Sequence, residues 1–438
     1  MTTNSPVPAQ NKDVKAVASG RLSFFRQSGW MVIATVGGGL FMTAVHTVAG
    51  HKMLPDQYSA FYALMRFLIW LGIPAAGLQN VFAQQTAAAL TDEKVHRLSG
   101  TTRAILRAIL ILWLITAVAV LMGSHRILTM LKVENPAALW FAIVVGLTTL
   151  LVPVFKGLLQ GKHHFAGFGW MQIIDGVGRF SAVAILLVVF GGQAASGMAA
   201  CVVGQVATLA LGFWLTRDIW MGEGGGFTWG PWLARVVPLT FGLGAIYFFT
   251  ATDALFVQST FSDESRQLYM GANLTGFAVM QFVAPIAMVM FPRVVRSVAK
   301  SETTDAMRLT VALTAAVGIM AALVCTVLPS LPLRIIYFHS DKMLAAAPLV
   351  PWFAWALLPL TLSNVLITNL LAHERNRVVP FAVVIAVGYL ITLYAIRDHL
   401  LHMSQPMAAF TMVVQMLGVF SLALVLVCAW FTWGPSRK

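Results

Sequence analysis

Residues 170–187 read WMQIIDGVGRFSAVAILL, an apolar run that carries both Asp175 and Arg179. Four residues apart on a helix, the two side chains share one face and can pair. A single charge at the centre of a bilayer costs about 2.5–3.5 kcal/mol on insertion scales, and pairing lowers that penalty. Two readings follow. The pair balances itself, or anchors a neighbouring helix. Alternatively, this face lines a polar cavity in which Arg179 meets an anionic substrate and Asp175 tunes it. Arg66, within YSAFYALMRFLIWLGIPAAGLQNVF, has no acid within four residues. It therefore needs a partner on another helix or a substrate anion, and its planar fork suits phosphate. Asp253, in IYFFTATDALFVQ, could pair with Arg66, carry a proton or coordinate Na⁺. His46 is either a satisfied interfacial residue or a further ion-coupling group. Amides fall in the same apolar runs. The substrate-cavity candidates are thus Arg66, Arg179, Asp175, Asn80, Asn273, Gln281 and Asn364, and the ion-coupling candidates are Asp253, Asp175 and His46.

These residues must be held by helices that tolerate lipid. Of the 438 residues, 58% are hydrophobic and only 10% charged, with a mean hydropathy of +0.80. Soluble domains carry about 25% charged residues. Continuous apolar runs of helical span length, rather than alternating ten-residue segments, point to an all-α polytopic membrane protein and away from a β-barrel. Twelve candidate spans are read at 29–49, 58–88, 104–123, 137–159, 167–190, 195–216, 232–259, 267–292, 307–328, 344–372, 378–396 and 406–432. With the N-terminus inside, 20 of the 29 lysines and arginines, Lys156 among them, fall in cytoplasmic segments and seven in outer loops. That bias predicts both termini in the cytoplasm, and the expected location is a bacterial inner membrane. It also accounts for the net charge of +13 without nucleic acid. Cys201, Cys325 and Cys428 fall in apolar runs and read as packing residues. No Walker loop, GxSxG, HExxH or metal-ligand spacing occurs. The sequence therefore calls for no catalytic residue, no metal and no cofactor.

The longest connection, RDIWMGEGGGFTWGP at 217–231, is glycine-rich and lies at the midpoint. The expected organisation is a cytoplasmic tail (1–28), a six-helix lobe (29–216), a cytoplasmic linker (217–231), a second six-helix lobe (232–432) and a short cytoplasmic tail (433–438). A weak repeat supports two like halves. Tyr58 precedes Pro74 by sixteen residues in the second span, as Tyr269 precedes Pro285 in the eighth. Pro74, Pro153, Pro285 and Pro359 lie inside spans and favour kinks.

The stretch ATDALFVQSTF…LYMGANLTGF…QFVAPIAMVMFPRV resembles the seventh and eighth helices of the polysaccharide transporter family, the lipid-linked oligosaccharide flippase branch of the multidrug/oligosaccharidyl-lipid/polysaccharide exporter superfamily. Asp253, Tyr269 and Pro292 match residues that the family shares. LPDQYSAFYAL resembles the start of its second helix and GLLQGKHHF its fourth-to-fifth joint. The resemblance implies two lobes in a V around a central cavity. That cavity would take a polyprenyl-diphosphate-linked oligosaccharide, with Arg66 and Arg179 as its basic groups, one toward each side of the membrane. It carries fewer lysines and arginines here than in several family members. The multidrug branch uses acidic groups for ion coupling, so a cation-coupled exporter stands as the alternative, with a membrane glycan polymerase or ligase third. Coupling to H⁺ or Na⁺ and a monomeric state are expected.

Overall fold

The computed structural model describes residues 30, 33–261, 265–279, 303–338 and 340–434. Gln281, Pro285 and Pro292, the second half of the expected span 267–292, the tail 1–28 and residues 435–438 lie outside the described residues. The described chain is helical throughout, in the order α1 (Ile33–Lys52), α2 (Pro55–Leu71), α3 (Leu78–Ala87), α4 (Asp92–Met122), α5 (Ser124–Leu131), α6 (Pro136–Gly161), α7 (Phe165–Val183), α8 (Ala194–Leu215), α9 (Arg217–Trp220), α10 (Trp229–Thr260), α11 (266–279), α12 (Thr303–Val327), α13 (Ser330–Tyr337), α14 (Asp341–Leu344), α15 (Val350–Ala372), α16 (Val379–Ala395), α17 (Arg397–Leu401) and α18 (Pro406–Trp433).

Ten of the described segments are long and apolar enough to cross a membrane, and an eleventh is the pair α2 and α3, bent by 47°. Each has a counterpart among the twelve expected spans, and α11 begins the remaining one. The bend falls where the sequence places Pro74. Gly72 caps α2, and Ile73–Ala75 form a single 3-10 turn before α3 starts. Proline at the first helical position opens α2, α6 and α18, where no backbone donor is lost. Asn135 caps α6 by accepting from the Ala137 N–H at 2.9 Å. Most span limits shift by a few residues, and one by more. The third span begins twelve residues earlier, at Asp92, because the polar run DEKVHRLSGTTR continues the same helix. The fourth ends at Gly161, two residues past its expected limit, and Lys156, counted above with the cytoplasmic segments, stands inside it.

Lipid-facing surface is plain on α4, where Leu110, Ile111, Leu114, Ile115 and Val118 are all exposed. A contiguous apolar face of that kind needs acyl chains or a partner to cover it. Inside, α6, α7 and α8 pack together and α3 lies against α6, while α15 packs on both α12 and α18, and α16 on α18. The long helix α10 touches both groups, through α2 on one side and through α15 and α16 on the other. Lipid offers no hydrophobic drive for helix association, so close approach of small residues does the packing. At the α7–α8 contact, a Cβ on Gly178 would sit 2.9 Å from Gly204 Cα, and one on Gly204 would sit 2.4 Å from Arg179 Cγ. Gly204→Val is therefore expected to lower stability by about 1–3 kcal/mol through overpacking. A thermal melt of the purified protein checks this; an unchanged midpoint would show that α8 moves aside freely.

Candidate functional site

A cavity of about 650 Å³ opens among α1, α2, α3, α6, α7, α8, α10 and α11. That size lies within the usual 300–1,000 Å³ range of small-molecule sites. Most of its wall belongs to the first half of the chain. The second half contributes Tyr247 and Thr250 from α10, and Leu274, Phe277 and Ala278 from α11. The candidates His46, Arg66, Asp175 and Arg179 all line it, joined by Tyr62, Gln79, Gln172 and Gln205. The two arginines thus face one and the same space.

The first polar cluster stands on α7. Arg179 donates from Nε to Asp175 Oδ1 at 2.7 Å and from Nη2 to Asp175 Oδ2 at 3.1 Å, the two-pronged pairing that a spacing of four allows. Gln205 on α8 completes it. With the amide turned so that both ends are satisfied, its oxygen accepts from Arg179 Nη2 at 2.5 Å and its nitrogen donates to Thr148 and to the Val145 carbonyl. The Arg179 side chain is only 5% exposed, against 20% for Asp175, so the carboxylate is the more open partner. One turn earlier, Gln172 accepts from the Lys156 ammonium on α6. Lys156 was counted above with the cytoplasmic segments although the expected span 137–159 contains it.

The second cluster joins the two halves. Arg66 on α2 donates to Tyr62 on the same helix and to Asn273 Oδ1 on α11 at 2.8 Å. Asn273 Nδ2 donates in turn to Asp253 Oδ2 at 2.7 Å, and so does the Tyr269 hydroxyl, also at 2.7 Å. Arg66 and Asp253 are therefore linked through an amide instead of in a direct ion pair. The guanidinium also lies over the rings of Tyr62 and Phe277, at 4.8 and 4.5 Å from their centroids. Such a stack suits Arg better than Lys. Asp253 is fully buried, and its Oδ1 has no hydrogen-bond partner.

The remaining candidates divide. His46 is buried among the rings of Tyr58, Phe61 and Tyr62, and its Nδ1 has no partner. This is not the solvated interfacial position that a span end suggests. Asn80 is half-buried and Asn364 exposed, and neither lines the cavity. The three cysteines are buried and free. Among the described residues no group of three metal-ligating side chains converges.

Asn273 is the residue whose role the sequence least discloses, since an amide in a span has no chemistry until its neighbours are known. Asn273→Leu removes the acceptor of both Arg66 and Tyr62 and one donor to Asp253. Each buried partner left unsatisfied costs about 1–3 kcal/mol. A fall in melting temperature larger than that of Asn364→Leu is expected; equal shifts would show that the bridge contributes nothing.

Comparison with solved structures returns the same architecture at low identity. A transporter of the multidrug-resistance MATE family in an inward-facing conformation aligns at 11% identity and a TM-score of 0.66, over 91% of this chain and 94% of that one. The lipid II flippase MurJ in an inward closed conformation aligns at 12% identity and a TM-score of 0.68, over 92% of this chain and 87% of that one. A MOP-superfamily transporter from Pyrococcus furiosus with a binding pocket described as of reverse polarity aligns at 11% and 0.57, over 94% of each. No curated protein matches the chain. Residues 56–298 match the family described as polysaccharide biosynthesis protein. That segment is more than half of the sequence and holds Arg66, Asp175, Arg179, Asp253 and Asn273. The chain thus belongs to the polysaccharide biosynthesis protein family and folds as the MOP-superfamily transporters do.

Proposed function

We propose that this chain is a flippase that carries a polyprenyl-diphosphate-linked oligosaccharide from the cytoplasmic to the outer leaflet of a bacterial inner membrane, with both termini cytoplasmic. The observation that carries the reading is the cavity itself: Arg66 and Arg179 converge on one polar space between helices long and apolar enough to span a bilayer. Buried guanidinium groups are retained where they meet a partner or a substrate anion, and their fork fits phosphate oxygens. Family membership points to saccharide as cargo. The diphosphate and first sugars occupy the cavity while the polyprenyl tail stays in lipid. The two lobes, 29–216 and 232–432 about the 217–231 linker, rock so that the space opens to one side at a time. Gln79, Gln172 and Gln205 offer amide contacts to sugar hydroxyls. The protein acts as a monomer, because each chain carries both lobes.

Asp253 favours a second reading in one respect. A fully buried carboxylate with an unpartnered oxygen is the expected seat of an exchangeable H⁺ or Na⁺. That ion would drive either a coupled flippase or a cation-coupled exporter. The deciding assay uses proteoliposomes containing the wild-type protein, a fluorescent polyprenyl-diphosphate oligosaccharide and, separately, an exporter dye under an imposed cation gradient. Movement of the lipid-linked sugar is the expected result. Dye export that needs Asp253, with no sugar movement, would replace the flippase by the exporter.

A further inference from the structure

The state of Arg179 poses a question for any anion that enters the cavity. The Nε–Nη2 edge of its fork is already occupied: both nitrogens hold Asp175, and Nη2 also meets Gln205. An incoming anion meets the more open Asp175 carboxylate before it meets the guanidinium. The Arg179 stem packs closely against α8, its Cγ and backbone N 2.4 and 2.7 Å from where a Cβ on Gly204 would stand. The movable partner is the shorter Asp175. A second cation stands close by. Lys156 on α6 is bonded to neutral Gln172, three residues before Asp175 on α7, so it reaches the α7 face that carries Asp175. A neutral amide is a partner that Lys156 can release for a carboxylate at little loss.

We infer that Asp175 is a resident counter-ion that the substrate displaces: an anion takes the Arg179 fork and Asp175 transfers to Lys156. The exchange makes Asp175 a determinant of specificity and Lys156 a positioning residue. An anion takes the Nε–Nη2 edge only by outcompeting a two-pronged carboxylate, which favours diphosphate over carboxylates or halide. The inference rests on the reading above that the cavity takes a phosphate-bearing anion. It assigns no bond making, only an exchange of ion pairs.

The test measures binding of inorganic pyrophosphate, and of acetate as the weak competitor, to the detergent-purified protein by calorimetry. Apparent affinity is the intrinsic affinity reduced by the fraction of Arg179 that is uncovered, so removing the cover raises it. Asp175→Asn is expected to bind pyrophosphate about tenfold tighter and to lose part of the discrimination against acetate. Lys156→Gln is expected to weaken binding in the wild-type background and to have little effect when Asp175 is already Asn, the non-additivity of a coupled pair. Lys156→Arg restores the wild-type value. Pyrophosphate affinity in Asp175→Asn equal to or below wild type, or a Lys156→Gln effect of the same size in both backgrounds, overturns the exchange while leaving the anion cavity standing. Should Asp175→Asn not fold, Lys156→Gln against wild type and Lys156→Arg decides alone: no change overturns the proposal, and weakening rescued by Arg supports it. Absence of pyrophosphate binding in every variant, Asp175→Asn included, removes the anion reading and this inference with it.

Discussion

Arg66→Ala is expected to abolish translocation of a lipid-linked saccharide and to destabilise the protein by about 3–5 kcal/mol, the loss that follows when one partner of a buried charged network is deleted. The guanidinium is 8% exposed and is the only cation hydrogen-bonded to the Asn273–Asp253–Tyr269 cluster among the described residues. Without it, the Asp253 charge remains buried with no cation in its network, and Tyr62 and Asn273 each lose a donor. Arg66→Lys separates the two roles. A lysine keeps the charge and three N–H donors but cannot stack on Tyr62 and Phe277 as a plane or present a rigid fork. Stability should then recover in part while transport stays low. Initial rates in proteoliposomes, with a melt of the same preparation, provide the check. Wild-type transport by Arg66→Ala would reduce Arg66 to a structural residue.

The second large effect is expected at Asp253. Asp253→Ala strands the Tyr269 hydroxyl and the Asn273 amide, both buried, at about 1–3 kcal/mol each. It also removes the charge that offsets Arg66. Asp253→Asn keeps the shape, so it should fold better than Asp253→Ala yet lose any dependence of transport on an imposed H⁺ or Na⁺ gradient. Combining Asp253→Ala with Arg66→Ala should destabilise by less than the sum of the single changes, because each charge is costly chiefly when the other is gone. Strict additivity in the melts would show that the amide bridge does not couple the two residues. A gradient dependence that survives in Asp253→Asn would move the coupling site elsewhere.

The bridge bears on how the halves move. Arg66 and Tyr62 belong to α2, whereas Asn273, Asp253 and Tyr269 belong to α10 and α11. Further ties run between the same two parts of the chain. Tyr58 meets Tyr337 through their hydroxyls at 2.9 Å, Arg266 pairs with Asp56 at 2.7 Å, and Gln258 donates to the Leu131 carbonyl at 2.8 Å. In the proposed cycle, rocking of one lobe on the other would exchange these bonds, as bistable packed interfaces do.

The sequence by itself determined the class, the span positions and the residues worth attention. Runs of about twenty apolar residues leave the backbone no way to satisfy its hydrogen bonds in lipid except as helices. Charged groups inside such runs stand out against a composition with so few of them. The spacing of Asp175 and Arg179 even fixed their pairing, because a helix brings i and i+4 together without help from the rest of the fold. Pro74 announced the bend between α2 and α3 for an equally local reason.

What only the tertiary structure decided were the contacts between helices. Arg66 and Asp253 are 187 positions apart, and nothing in either run says that Asn273 stands between them. Lys156 lies inside the expected fourth span, yet nothing in that run says that Gln172 of α7 accepts its ammonium. Asn364 and Asn273 are both amides in spans, yet one is exposed and the other buried at the centre of a network. Facing depends on how α11 and α15 rotate against their neighbours. That rotation is fixed by the fit of side chains such as Phe353 against Gly276, which no periodicity within a single uniformly apolar helix encodes.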